Sequence, residues 1–235
     1  MTATETSSTT IPVDASTLSA PQRWRRALGA LANVIKDPNR TDEVLAFSTY
    51  ANAGTMATRM QRFYATEPGQ RLFDEQRAID SHTVDLAKLA ALPEGTLGHA
   101  YAHFLMSRGF TPDVFDGPPR GVTDPKASYV LQRMRQTHDL WHVVTGHDTN
   151  PAGEVALQAF TFGQSRAPST LSLTLAGIVR HSRARPTLAL DVVRALRAGR
   201  AAHGVPTFPW EDHWATPLAE VRAMLGVEPI ARAAA

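Results

Sequence analysis

No cysteine occurs anywhere in the 235 residues. That excludes disulfide scaffolds, thiolate zinc fingers, iron–sulfur ligation and cysteine nucleophiles together, so any metal falls to His, Asp or Glu. Long apolar sequence is also missing. The longest largely apolar run, Leu171 to Val179, is far short of the roughly 20 residues a membrane-spanning helix needs. It reads as a buried helix, with contact at a membrane surface as the other reading. The first twenty residues are rich in Ser, Thr and Ala and hold no Lys or Arg. Neither a secretory signal nor a mitochondrial presequence is expected from them, and residues 1–21 are expected to form a loose tail. An excess of one charge is lacking too: 24 basic against 22 acidic residues leave a formal +2. Lysine is confined to Lys36, Lys88 and Lys126, and the arginines form no long basic arm, so no nucleic-acid partner is expected. There is no glycine-rich phosphate loop and no internal repeat.

What remains is ordinary globular composition, 43% hydrophobic and 20% charged, in a chain of one-domain size. From Gln22 onward a 3.6-residue period recurs, and strand-like alternation hardly occurs. Trp24, Leu28, Leu31 and Ile35 share one predicted helix face, which Lys36-Asp37-Pro38 ends. Thr41 is expected to cap a second helix with Asp42 and Glu43 in its first turn, its face continued by Val44, Phe47 and Ala51. A further helix is predicted within Gly95 to Phe110, then an irregular loop rich in Pro, Gly and Asp from Thr111 to Pro125. Helices over about Ala127 to Thr145 and Pro151 to Gln164 follow, with more after Ser169 and after Pro186. An aromatic segment and a short last helix close the chain. The expected fold is all-α, a single helical domain over residues 22–228, followed by a C-terminal tail, 229–235.

Chemistry concentrates between Thr137 and Glu154. His138 and His142 are four apart, so on a helix their imidazoles leave one face a turn apart and can reach one ion. Gly146 is a helix stop; Asn150 and Pro151 are a cap and a first helical residue. His142 lies four residues before Gly146 and Glu154 four after Asn150, each about 6 Å from the turn at 1.5 Å per residue. Glu154 can therefore face the histidine pair across a helical hairpin, and a divalent metal site on that hairpin is predicted. Asp139 is a fourth ligand or a group that orients an imidazole. The plainer alternative is two satisfied core histidines and an unrelated capping acid. His99 and His103 repeat the spacing without a following carboxylate and are read as structural. His147, next to the turn, is expected to face solvent rather than join the site. Arg133 and Arg135 are expected on the surface, without a catalytic role.

These residues resemble a known family. His138-Asp139-x-x-His142, eleven residues and then Glu154 is similar to the HDxxH…E signature of the coenzyme Q (ubiquinone) biosynthesis protein 4 family. The likeness extends through Gly95 to Asp113, Tyr129 to His142 and the FPWEDHWATPLAEVRAMLG segment, covering about residues 22 to 228. It implies a helical metalloprotein with His138, Asp139, His142 and Glu154 as ligands. Zinc is the usual assignment, and iron, manganese or cobalt also suit two imidazoles with two carboxylates. The implied activity is that of a carboxy-lyase: metal-dependent, oxidative decarboxylation of a 4-hydroxy-3-methoxy-5-polyprenylbenzoate. Implied partners are that polyprenylated precursor, other quinone-biosynthesis proteins and a peripheral membrane contact. Leu171 to Val179 and Leu140 to Val144 are then read as a channel for the polyprenyl tail, or simply as core. The missing presequence suggests a bacterial member, cytoplasmic or at the inner face of the cell membrane, and a homodimer is expected. The rival from another class is a non-catalytic scaffold that binds polyprenyl lipid and presents it to partner enzymes. A third reading, an HD-type phosphohydrolase, would need further ligands, for which His103 and Asp191 are the loose candidates.

Overall fold

Proline and short polar side chains set where the helices begin. In the computed structural model, which describes residues 14–37, 40–119 and 121–230, proline occupies the first turn of five helices. These are α1 (Ala20–Lys36), α4 (Glu67–Asp74), α7 (Pro125–Gln136), α9 (Pro151–Ser165) and α10 (Pro168–His181). A proline there forfeits no helical hydrogen bond and brings its φ already set. Thr66, Asp124 and Asn150 each cap by accepting a backbone N–H three residues on, which satisfies one donor the helix leaves open. Asp85 and Thr96 cap α5 (Leu86–Ala90) and α6 (Leu97–Met106) in the same way. The remaining helices are α2 (Thr41–Asn52), α3 (Met56–Tyr64), α8 (His138–Thr145), α11 (Leu188–Ala201) and α12 (Leu218–Leu225). Single 3-10 turns join several of them, and no strand occurs among the described residues. The all-α single domain expected from the sequence is what the chain forms.

The main core gathers on α9, which packs against α10 and α11. Trp141, Leu157, Phe160, Trp210 and Tyr101 are fully buried there. Close approach of α9 and α11 requires glycine. A Cβ on Gly163 would lie 2.7 Å from the carbonyl carbon of Gly199, and one on Gly199 2.2 Å from the Phe160 carbonyl oxygen. A smaller cluster, Ala27, Ala30, Phe47 and Ala51, joins α1 to α2.

Several expectations are corrected. On α1 the inward residues are Ala27 and Ala30, while Trp24 and Leu28 are exposed, Leu28 by 57%. Small side chains let the two backbones lie close; Leu31 of the predicted face packs at the edge of this cluster, while Trp24 and Leu28 are left outside. The side chain of Ile35 lies outside the described residues. Arg40, not Thr41, precedes α2, although Asp42 and Glu43 do occupy its first turn. The helix predicted from Ala127 to Thr145 is interrupted at Thr137, giving α7 and α8. The Leu171 to Val179 run is helical but only partly buried: Leu173 and Ile178 pack against the core clusters, while Leu171, Leu175 and Val179 point outward, Val179 with 83% of its surface exposed. Hydroxyls face inward instead. Thr170 and Thr174 are buried, with their protons donated to Ala167 and Thr170 carbonyls.

At the ends, residues 14–21 hold a 3-10 turn with Ala15 buried and the start of α1. The rest of the expected N-terminal tail lies outside the described residues. Ile230 donates its N–H to the Thr145 carbonyl, and residues 231–235 lie outside the description. Among the described residues no helix is long and apolar enough to cross a membrane.

Candidate metal centre

Local chemistry builds the hairpin. Helix α8 ends at Gly146, whose φ of +78° is a left-handed conformation that favours glycine. After three residues Asn150 caps α9, its side-chain oxygen accepting from Gly153 N at 2.9 Å, with Pro151 as first helical residue. The return is tight, and the fourth residue of each arm counted from the turn ends up at the same level. His142 and Glu154 therefore face each other, with His142 Nε2 3.1 Å and His138 Nε2 3.7 Å from the Glu154 carboxylate. The two imidazoles stand perpendicular, with ring centroids 4.9 Å apart. Asp139 joins from the edge of α8: one ligand atom each from His138, Asp139 and His142 lie within 4.8 Å of one another. The Glu154 carboxylate, 3.1 Å from His142 Nε2, would complete the set of residues that could hold a divalent ion.

His142 supplies the strongest test of whether a cation suits this place. Its Nδ1 lies 3.0 Å from the His147 carbonyl oxygen, which makes Nδ1 the protonated nitrogen of the neutral ring and leaves a lone pair on Nε2. That Nε2 is buried without a hydrogen-bond partner, facing the Glu154 oxygen. A lone pair and a carboxylate do not sit 3.1 Å apart at low cost unless a proton or a cation lies between them. The donor set, two imidazoles and two carboxylates, fits a divalent ion. Glu154 keeps 38% of its side-chain surface exposed, so the centre opens to solvent on its side.

The charges respond to one another. Burial pushes the Glu154 carboxyl up, but the neighbouring His138 and His142 imidazoles more than offset it, leaving it at about 2. Burial pulls His138 down, and the Glu154 carboxylate overturns that, for a net rise. Asp139 is raised by burial, against the attraction of His138 and His142. His147 is lowered to about 4, chiefly by burial.

The four predicted residues thus meet on one hairpin, while other expectations change. His147 is buried, not solvent-facing, and its carbonyl orients His142. Arg133 is fully buried, not at the surface: its guanidinium pairs with Glu211 and the Phe208 carbonyl, which ties α7 to the aromatic segment. Arg135 is half-buried, with Nη2 3.3 Å from Thr49 Oγ1. His99 and His103 stack on α6 with centroids 6.5 Å apart, outside the ligand group. His103 and Asp191 stay outside it as well, Asp191 pairing with Arg185. Two neighbours escaped the sequence reading. Phe104 stacks on the His142 ring at 5.5 Å, and the Arg108 guanidinium lies 4.1 Å over Phe104 while bonding Thr149 and Asp148.

Comparison with known proteins follows the same lines. Residues 14–231 match the family described as coenzyme Q (ubiquinone) biosynthesis protein Coq4. The chain is 33% identical over 203 residues to the mitochondrial ubiquinone biosynthesis protein COQ4 of Laccaria bicolor, covering 86% of this chain and 68% of that one. It is 32% identical over 210 residues to the mitochondrial COQ4 homologue of Rattus norvegicus, covering 88% and 79%. A crystal structure from Nostoc punctiforme, of a protein proposed to act in ubiquinone biosynthesis, superposes with a TM-score of 0.73. It shares 32% identity and covers 90% of this chain and all of the other.

Proposed function

We propose a function from the premise that the chain belongs to the coenzyme Q (ubiquinone) biosynthesis protein Coq4 family: it acts in ubiquinone biosynthesis as a metal-dependent enzyme. Its substrate is a 4-hydroxy-3-methoxy-5-polyprenylbenzoate, and its reaction removes the ring carboxylate as carbon dioxide, its place on the ring carbon taken by a proton, or by a hydroxyl group where dioxygen serves as the oxidant. His138, Asp139, His142 and Glu154 hold the ion, zinc first, with iron, manganese or cobalt as alternatives. A divalent cation bound there supplies Lewis acidity to a carboxylate or phenolate and stabilises the charge that develops as the carbon–carbon bond breaks. The protein's own part is orientation. His147 and Phe104 fix the His142 ring, and the exposed side of Glu154 leaves the approach on which a substrate carboxylate can reach the centre. A polyprenyl tail adds affinity at about 0.8 kcal/mol per buried methylene.

The observation that carries this reading is the buried Nε2 of His142, without a hydrogen-bond partner and aimed at Glu154 across the hairpin. The test is His142→Ala in purified protein, followed by elemental analysis and by product formation from the prenylated benzoate. Loss of both is expected; a variant that keeps its metal and full turnover overturns the proposal. The scaffold reading draws on the outward stripe Leu171, Leu175 and Val179, an apolar surface available to lipid or to partner enzymes. Stoichiometric binding of the prenylated benzoate without product would favour it.

A further inference from the structure

Away from the hairpin, helices α3 and α7, the end of α9 and the Val205–Thr207 turn line a half-open cavity of about 180 Å³. Ten residues of α9, about 15 Å of helix, separate its wall at Gln164 from Glu154 of the metal centre. Phe63, Val130 and Met134 give it an apolar side. Its polar side is unusual in what it leaves free. Thr66, Ser165 and Thr207 donate their hydroxyl protons to the carbonyls of Phe63, Thr161 and Gly204, and the Gln164 amide donates to Gly199 and Ala202. The uncommitted donor is Arg59. Only 7% exposed, it lines the cavity, and its Nη1 has no hydrogen-bond partner among the described residues. Among the described residues no carboxylate lines the cavity, whereas a second arginine, Arg62, does. Burial pulls the Arg59 guanidinium down to about 10 with no anion to offset it.

A buried cation without a counter-ion is costly, and the shape of the cavity specifies what would relieve that cost. A planar carboxylate suits a guanidinium, which binds it through two parallel hydrogen bonds. The volume exceeds the roughly 150 Å³ of a dry protein cavity that takes up benzene. We propose that this cavity binds a small organic monoanion, a carboxylate on a benzene-sized apolar body, with Arg59 as the partner of the anion and Phe63, Val130 and Met134 against the body. The site is separate from the metal centre and independent of what that centre does.

Titration of the full chain with 4-fluorobenzoate, followed by fluorine NMR, tests the proposal. The protein is first treated with chelator, so that carboxylate bound at the metal centre adds nothing. Wild type is expected to bind 4-fluorobenzoate at least about tenfold tighter than 4-fluorobenzyl alcohol, the margin of one charge-assisted pair. Arg59→Met is expected to erase that preference and, because it removes an uncompensated buried charge, to melt higher than wild type without ligand. Failure of wild type to bind at about 10 mM, or equal binding by Arg59→Met, overturns the proposal. Displacement of the probe by an equal concentration of inorganic phosphate overturns the carboxylate assignment. Should Arg59→Met not fold, Met134→Trp fills the cavity and keeps the guanidinium. It is expected to lose the probe, and retained binding counts against the site.

Discussion

His147 does two jobs with two different groups, and that lets them be separated. Its backbone carbonyl orients His142, while its imidazole is buried and held at about 4 against an ordinary 6.5. A histidine lowered in the folded state binds its proton less readily than in the unfolded chain, so stability falls as pH drops from about 6.5 toward 4. At about pH 4.5 that amounts to about 2 kcal/mol relative to neutral pH. His147→Gln is expected to remove this part of the acid limb in urea unfolding and to leave metal affinity unchanged, since the carbonyl stays. Glu154, lowered to about 2, adds its own loss only below about pH 4.5, and His138, being raised, acts in the opposite sense near neutrality in metal-free protein. Phe104 orients the same His142 ring from the other side. Phe104→Leu is expected to weaken zinc binding by about tenfold, the lower end of what orienting groups contribute, measured by chelator competition; unchanged affinity would reduce the stacking to packing. The grouping of His138, Asp139, His142 and Glu154 was legible in the sequence because metal chemistry restricts the residue types and spacings that a candidate site can have. Arg133 and His147 were not, since cationic side chains default to the surface and the partner of Arg133, Glu211, stands 78 positions along the chain.

Among the elements, the α8–α9 hairpin was readable residue by residue because its punctuation is local: Gly146 in a left-handed turn, Asn150 as cap, Pro151 behind it. The face of α1 was not. Of the apolar stripe Trp24, Leu28, Leu31 and Ile35, Leu31 packs against α2, yet the buried contacts there are Ala27 and Ala30, a choice made by the neighbouring helix. The same logic shapes α10, where Leu171, Leu175 and Val179 face outward and Gly177 is seated so close to α9 that an added Cβ would strike the Val155 side chain. Small residues set the helix spacing throughout. Contact of α9 with α11 depends most on Gly199, where a methyl group would strike the Phe160 carbonyl oxygen. Gly199→Ala is expected to cost about 3 kcal/mol in chemical unfolding, at the upper end of overpacking. A cost under about 1 kcal/mol would mean that α11 slides at little expense, at odds with the close packing of protein interiors.

For the molecule as a whole, the question is whether a metal bound at the proposed centre would hold the fold or be held by it. All four proposed ligands lie between His138 and Glu154, on one hairpin that its own cap and turn already close. The main core is built without them, from side chains of α6, α8, α9, α11 and α12 together with Trp210. A cation there stabilises the chain by mass action alone, about 4 kcal/mol when free metal exceeds its dissociation constant a thousandfold. In a domain of this size 1 kcal/mol moves the melting temperature by about 2–4 °C. Chelation is therefore expected to lower the melting temperature by about 10 °C while the helical circular dichroism at room temperature stays as it was. Collapse of the helical signal on chelation would make the ion a structural member of the fold, and a scaffold role for the centre would then gain over a chemical one. A folded chelated protein that regains both its melting temperature and its turnover when one divalent metal is restored would place the ion's purpose in chemistry. The hairpin would then be a rigid support that keeps two imidazoles and two carboxylates at fixed distances whether or not the ion is bound.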